Sequence, residues 1–182
     1  LHTAIKPSKN DKFAVYPFRH GEAWNKAQLQ FLLACGINTI LLSGSATTTF
    51  SYYSSNNFGA DAFTVELGKV MPFGQNDMAQ FSAVIDSLKA LICGENLNLK
   101  PFENHDFLIY QVNQVINKHS VDFRFNFSDE LANFSDFPQD YLLATDGDTE
   151  YRCQYAGEAI VFPNANVALG QRAVLTVVPT TI

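Results

Sequence analysis

A single carboxylate in a largely apolar stretch is the residue of this 182-residue sequence most suited to chemistry. Glu66 lies in the run 63–67, whose alternation predicts a strand with Glu66 and Thr64 on one face. We expect this strand to be parallel and Glu66 to stand at its C-terminal end, where open α/β sheets bind ligands. Because a carboxylate is costly to bury unless it is paired or used, Glu66 is either a functional group or a structural residue on a polar strand face. In the second case it is solvated or forms an ion pair, for example with Lys69.

The histidines offer metal binding, but none belongs to a recognised zinc motif. His2 lies shortly before the first predicted strand, where a histidine either ligates a metal or is a mobile terminal residue. His20 and Glu22 are one residue too close for a His-x-x-Glu pair, and His105 and His119 lie in polar segments typical of loops. No His-Glu-x-x-His motif occurs either, so the sequence predicts no self-contained catalytic zinc site.

Other catalytic and ligand-binding motifs are incomplete. Ser45 has Ser43 and Thr47 where the nucleophile elbow of a hydrolase has glycines. There is no P-loop and no Gly-x-Gly-x-x-Gly, and the Asp-Gly-Asp sequence at 146–148 is typical of a hairpin turn rather than a calcium loop. These observations argue against a serine hydrolase, a nucleotide-binding protein and an EF-hand.

Charge and composition exclude further classes of protein. The net charge is -6 and no cluster of Lys and Arg occurs, which argues against nucleic-acid binding. No apolar stretch reaches the roughly 18 residues of a membrane span. The three cysteines form no C-x-x-C pair, as expected of free thiols in the cytoplasm. The sequence starts at Leu1 without Met or a signal-peptide pattern, so we expect that this is not the native start.

Strand and helix patterns alternate over the first 95 residues. The predicted strands are 12–18, 38–43 and 63–67, and the predicted helices are 22–35 and a segment capped by 75–77 and closed by Gly94. Apolar strands alternating with helices indicate an α/β domain with a mainly parallel sheet.

A second, β-rich pattern follows a polar segment at 95–103 that contains Pro101. Short strand candidates separated by turns occupy 107–116, 121–127, 141–144, 150–155, 159–162 and 173–178. The sequence therefore predicts two domains, an α/β portion over residues 1–95 and a β-rich domain over residues 96–182.

Several strings together resemble one known family. They are Leu-His-Thr-Ala-Ile at 1–5, Thr-Val-Glu-Leu-Gly-Lys at 64–69, Pro-Phe-Gly-Gln-Asn-Asp at 72–77, Val-Phe-Pro-Asn at 161–164 and Val-Ala-Leu-Gly-Gln-Arg-Ala at 167–173. From residue 1 to about residue 178 the chain resembles the C-terminal part of the succinylglutamate desuccinylase/aspartoacylase family. The resemblance implies part of a zinc-carboxypeptidase-like mixed sheet with helices, followed by a small β-rich domain packed over the active site.

The same resemblance implies a zinc-dependent hydrolase of N-succinyl-L-glutamate in arginine catabolism. Glu66 matches the catalytic carboxylate that moves a proton between the attacking water and the leaving nitrogen. His2 matches one ligand of a single Zn²⁺ per intact subunit. The family's His-x-x-Glu pair is expected upstream of these residues, so we expect the 182-residue chain to be inactive alone.

Substrate contacts carry over less completely from the family. Tyr52 matches an aromatic hydroxyl position of aspartoacylases. Asn56 stands where family members often have an arginine that binds a substrate carboxylate, and it lacks the charge. Arg19 and Arg172 are alternative anion partners, although most surface arginines are only solvated.

Three alternatives stay open beside the desuccinylase. They are a non-catalytic binding or interaction module, an aspartoacylase-like deacylase of another N-acyl amino acid, and a general metallocarboxypeptidase. A β domain over the site suits a small dianionic substrate better than a peptide. We expect a small-molecule partner and no nucleic acid or membrane, and an exposed sheet edge would favour oligomers.

Overall fold

The computed structural model describes residues 1–182 as a mixed α/β structure with two sheets and three α-helices. The strands are β1 (His2–Ala4), β2 (Phe13–Tyr16), β3 (Thr39–Leu42), β4 (Thr64–Lys69), β5 (Leu108–Asn117), β6 (Arg124–Phe125), β7 (Ser135–Phe137), β8 (Leu142–Asp146), β9 (Thr149–Arg152), β10 (Glu158–Val161) and β11 (Arg172–Pro179). The helices are α1 (Lys26–Ala34), α2 (Phe50–Phe58) and α3 (Ser82–Cys93). None of the helices has both the length and the apolar character needed to cross a membrane.

The large sheet is mixed, which confirms the predicted fold class. Its strand order is β1-β4-β2-β3-β5-β11-β10-β7, and a second sheet has the order β6-β8-β9. The pairs β1–β4, β2–β3 and β3–β5 are parallel. The pairs β4–β2, β5–β11, β11–β10 and β10–β7 are antiparallel. The strand that carries Glu66 therefore has a parallel neighbour on one side and an antiparallel one on the other.

Strand β5 connects the two parts of the chain. Residues 108–111 pair with β3, and residues 110–117 pair with β11, so one strand belongs to both neighbourhoods. The segment predicted as a linker, 95–103, has no regular secondary structure and leads into β5. The division into domains at 95/96 stays a prediction, while the large sheet itself is continuous across it.

The helices begin and end where side chains or glycines satisfy the backbone. The helix predicted over 22–35 begins later, at Lys26, because the Asn25 side chain accepts a hydrogen bond from the Ala27 N–H at 3.0 Å. Asp77 caps a short 3₁₀ turn that leads into α3, as the sequence predicted. Helix α2 was not predicted, because its residues are mostly polar and aromatic without a clear apolar stripe.

Most strands of the β-rich part were predicted, with boundaries that shift by one to three residues. The candidate at 121–127 reduces to the two residues of β6, and β7 was missed. Strand β7 is only three residues long, and its ladder to β10 is not visible in a local alternation pattern.

Three groups of buried side chains form the core. The first packs α1 and α3 against β2, β3 and β4, and the second fills the β-rich part. The third group joins the two parts of the chain. In it, Phe13 and Leu41 of the α/β portion pack with three residues of the β-rich part, Phe134, Val161 and Val177. The C-terminal strands are thus held against the strands that carry the candidate site.

The buried carboxylate of Glu158 stabilises the β-rich part through hydrogen bonds. Glu158 is 0% exposed. Its carboxylate accepts hydrogen bonds from Asn113 Nδ2 at 3.0 Å, Gln114 Nε2 at 2.7 Å and the Gln154 N–H at 2.6 Å. Burial alone would raise the pKa of Glu158, but donors that include Thr176 outweigh it, and the pKa lies below its ordinary value.

We expect Glu158→Gln to destabilise the fold at neutral pH by about 1–3 kcal/mol, because an amide replaces one acceptor oxygen with a donor. A lowered pKa contributes stability above the pKa of the unfolded chain, and that contribution is lost as the pH falls through the folded value. The difference in free energy of unfolding between wild type and variant should therefore shrink in acid. Denaturant titrations at several pH values measure it, with exposed Glu95→Gln as control. A difference independent of pH would contradict this role for the charge.

Candidate active site

The sheet register brings His2 and Glu66 together. Strand β1 pairs in parallel with β4 so that His2 lies opposite Glu66, and β2 pairs on the other side with Phe13 opposite Glu66. His2 Nδ1 is 3.9 Å from Glu66 Oε1. Two residues 64 positions apart in the sequence thus become neighbours through one strand pairing.

The Glu66 carboxylate is buried without a complete set of partners. The residue is 7% exposed, and Oε2 is a buried oxygen that accepts no hydrogen bond. Burial raises the pKa of Glu66 above its ordinary value, and the nearby His2 opposes this only in part. A carboxylate with a raised pKa and a free oxygen is suited to accept and return a proton.

Two expectations about Glu66 differ from the structure. The residue is the third of six in β4 rather than at its C-terminal end, because the strand continues to Lys69. Lys69 is exposed and forms no ion pair with Glu66, so the alternative of a structural pair is wrong. Gly68 has φ of 104°, a conformation that favours glycine, near the carbonyl of Asp11.

His2 is the more accessible member of the pair. Its side chain is 67% exposed, whereas that of Glu66 is 9% exposed. The imidazole therefore borders the open side of the site, where it can still be engaged by a metal or by other parts of the protein. This position suits a metal ligand.

A row of hydroxyl groups continues from the strand of Glu66 along the cavity wall. Thr64 lies two residues before Glu66, and its hydroxyl oxygen is 2.9 Å from that of Ser51. The Ser51 hydroxyl oxygen is 3.3 Å from that of Thr49. The Thr49 hydroxyl in turn is 2.9 Å from that of Thr47. Thr49 also caps the N-terminus of α2, so the helix missed by the sequence analysis is what positions these hydroxyls.

These residues line one large cavity of about 810 Å³. One wall comes from His2, Glu66, the segment 3–6 and the hydroxyl row. The other comes from the β-rich part, with Asn133, the loop 162–167 and Arg172. The predicted packing of the β-rich part over the site is therefore present in this structure.

The two predicted substrate-binding residues do not line this cavity. The Tyr52 hydroxyl is 2.8 Å from His20 Nε2, and Asn56 is exposed on the same helix, α2. Their contact with substrate stays a prediction. Arg19 is engaged elsewhere, since it donates to Glu22 at 3.0 Å and to the Tyr16 hydroxyl at 3.3 Å. Arg172 does line the cavity, as one of the two anion partners considered from the sequence.

The hydroxyl row and Asn133 were not predicted from the sequence as parts of the cavity wall. Single serines, threonines and asparagines carry no motif, and their convergence depends on α2 and on the long-range pairing of the β-rich strands. The string Thr-Thr-Thr-Phe-Ser at 47–51 is the one local signal that could have indicated a helix cap.

The donor set fits a zinc ion only in part. A histidine nitrogen is a common zinc ligand, and the free buried oxygen of Glu66 beside it suits a proton acceptor rather than a saturated ion pair. No group of three or more His, Cys, Asp and Glu side chains that could hold a metal occurs in the 182 residues. Within these residues, His2 is the candidate zinc ligand and Glu66 the candidate proton acceptor.

Two family models match the chain. The Succinylglutamate desuccinylase/Aspartoacylase catalytic domain matches residues 1–92, and the AstE/AspA barrel-sandwich hybrid domain matches residues 105–180. A succinylglutamate desuccinylase of Pseudoalteromonas atlantica is 69% identical over 182 residues, which are 100% of this chain and 52% of that protein. One of Idiomarina loihiensis is 54% identical over 178 residues, 98% of this chain and 52% of its own. The chain thus spans about half the length of the curated relatives it matches.

Solved structures give the same result for the fold. The succinylglutamate desuccinylase of Vibrio cholerae superposes with a TM-score of 0.89 at 35% identity, over 98% of this chain and 52% of that one. That of Chromobacterium violaceum has a TM-score of 0.83 at 37% identity, over 100% and 53% respectively. The chain therefore belongs to the succinylglutamate desuccinylase/aspartoacylase family.

Proposed function

We propose that the full-length protein is a zinc-dependent amidohydrolase that cleaves N-succinyl-L-glutamate to succinate and L-glutamate, in arginine catabolism. The observation that carries the proposal is the pairing of the buried Glu66 with His2 across β1 and β4, inside a cavity of substrate size. The relatives that bear the name succinylglutamate desuccinylase support the choice of substrate.

His2 would hold the metal as one ligand, with the remaining ligands assigned to parts of the protein outside these 182 residues. The absence of any three-residue donor group within the chain is consistent with this assignment. When bound, zinc would supply Lewis acidity that polarises the acyl carbonyl and lowers the pKa of water. Glu66 would not be a zinc ligand, because proton transfer requires a carboxylate oxygen that is free to bind a proton.

Glu66 would move one proton twice during the reaction. As water attacks the succinyl carbonyl, a C–O bond forms and Glu66 takes the proton from the water oxygen. The carboxyl then gives that proton to the amide nitrogen as the C–N bond breaks, which releases glutamate with a neutral amine and succinate with its new carboxyl group still protonated. That second proton of the water then passes from the carboxyl to the amine, which leaves a carboxylate and an ammonium group. Burial raises the pKa of Glu66, which makes its carboxylate a stronger base than that of an exposed glutamate and favours uptake of the proton from water.

The walls of the cavity would exclude bulk water and orient the substrate. The hydroxyl row ending at Thr64 can donate or accept hydrogen bonds next to the strand of Glu66. The loop 162–167 of the β-rich part covers the opposite side. A small tricarboxylate substrate such as N-succinyl-L-glutamate fits this enclosure better than an extended peptide.

We expect the full-length protein with zinc to hydrolyse N-succinyl-L-glutamate with a kcat/KM about 10²-fold above that for N-acetyl-L-aspartate, because each missing polar contact leaves a cavity group unpaired. Release of free glutamate and aspartate measures both rates. A chelator should abolish the activity and added zinc restore it. Equal rates, or preference for N-acetyl-L-aspartate, would support the deacylase alternative, and failure to cleave either substrate would support a binding module.

A further inference from the structure

Arg172 is a cation in the cavity wall without an acidic partner. It lines the cavity with Glu66, yet no Asp or Glu oxygen lies within ion-pair distance of it, and its side chain donates no hydrogen bond within the protein. Lys6, which also lines the cavity, differs because its ammonium group donates to the backbone carbonyl of Asp129. A guanidinium carries five donors, so Arg172 presents an unused hydrogen-bonding group to the cavity.

The surrounding wall holds this guanidinium in place. Its carbon lies 5.6 Å from the centre of the Phe162 ring, a distance typical of a cation–π contact. Phe162 has a positive φ of 57°, and its N–H donates to Asn133 Oδ1 at 2.7 Å. Asn133 is 1% exposed, and its own backbone is hydrogen-bonded to Pro7 and Lys9 in the segment that follows β1. The anchor of Phe162 is thus tied to the segment after His2.

The backbone of Arg172 is also fixed. It starts β11 opposite Asn117 of β5, and the neighbouring carbonyls of Gln171 and Ala173 accept from Lys118 and Asn164 at 3.0 Å and 2.8 Å. The environment desolvates the guanidinium and lowers its pKa, but an arginine starts so high that it stays charged at neutral pH. Arg172 as a whole stays exposed at the cavity surface, where a carboxylate can reach its guanidinium.

We propose that Arg172 binds a carboxylate of the acyl-amino acid substrate, with Phe162 and Asn133 as the residues that position it. This assignment rests on the proposed function and gives the cavity the cation that Asn56 does not provide. Arg172 and Glu66 line the same cavity from opposite walls. Arg172 is therefore placed to hold a carboxylate at one end of the substrate rather than the reacting amide.

The test compares Arg172→Gln and Arg172→Lys with Arg152→Gln in the full-length zinc protein. Arg152 is the matched control, because it is exposed and pairs with Glu150 outside the cavity. We expect Arg172→Gln to lower kcat/KM for N-succinyl-L-glutamate by about 10- to 100-fold, the effect of losing hydrogen bonds to a charged group. Arg172→Lys should fall between, because lysine keeps the charge but not the fork. Added guanidinium ion should restore part of the rate of Arg172→Ala, which a purely structural role would not allow.

Binding of the products separates this assignment from the reaction itself. Calorimetry with succinate and with L-glutamate should show that Arg172→Gln lowers the affinity for at least one of these products about 10-fold or more. The product whose affinity falls identifies the carboxylate that Arg172 binds. If the wild type binds a product in this way but turns over no N-succinyl-L-glutamate, the proposed reaction fails and the anion site stands. Equal affinities in wild type and Arg172→Gln, or no binding of either product to the wild type, would overturn the site.

Discussion

Replacing Glu66 with glutamine is expected to lower kcat for N-succinyl-L-glutamate by about 10²- to 10⁴-fold while zinc stays bound. Glutamine has nearly the same shape, so it fits a position that is 7% exposed. Its amide oxygen cannot take the proton of the attacking water at neutral pH. Because the carboxylate is buried with one oxygen unpaired, its replacement by a neutral group should not destabilise the fold.

The measurement is steady-state kinetics on the full-length protein, with zinc content determined on the same samples. Glu95→Gln makes the same chemical change at an exposed position after α3 and should leave kcat unchanged. Turnover by Glu66→Gln at the wild-type rate would contradict the role of Glu66 in proton transfer. Loss of both turnover and zinc would instead make Glu66 a metal ligand.

Replacing His2 with alanine is expected to lower zinc affinity by more than about 10²-fold. Loss of an outer-shell partner typically costs 10- to 100-fold, and the loss of a direct ligand removes a bond to the metal itself. Since the imidazole is exposed and lies at the edge strand β1, its removal leaves no large void in the core. The fold should therefore survive the change.

Competition with a chromogenic chelator measures the zinc affinity of the full-length variant. His105→Ala is the matched control, because that side chain is also exposed and lies outside the cavity. Turnover should fall with zinc occupancy and recover at high zinc. An unchanged affinity in His2→Ala would show that His2 is not a ligand.

Local signals predicted an α/β portion followed by a β-rich portion because they agree along most of the chain, whereas the mixed sheet was implied by the family resemblance. Strand β3 is buried throughout and has three apolar residues after Thr39, and α3 keeps a helical apolar rhythm up to Gly94. Local patterns contain no information about which strands pair, so the antiparallel neighbour of β4 and the continuity through β5 came only from the structure. Helix α2 was missed because its stability depends on caps and packing more than on periodicity.

The candidate site was predictable where a residue stood out chemically. Glu66 was recognised as an unusual carboxylate in an apolar strand, and His2 was recognised through the resemblance of its segment to the family. Their adjacency follows from the register of β1 against β4, which no local pattern specifies. Arg172 was named only as an alternative, since its role depends on Phe162 and Asn133, and the contacts among these residues span ten and twenty-nine positions of the sequence.

Anomalous scattering at the zinc edge from crystals of the full-length protein would locate the metal relative to His2 and Glu66. We expect one zinc peak in the cavity, bonded to a nitrogen of His2 at about 2.0–2.1 Å, with the Glu66 carboxylate adjacent but outside bonding distance. A zinc ion bound away from His2, or one coordinated directly by Glu66, would contradict this expectation.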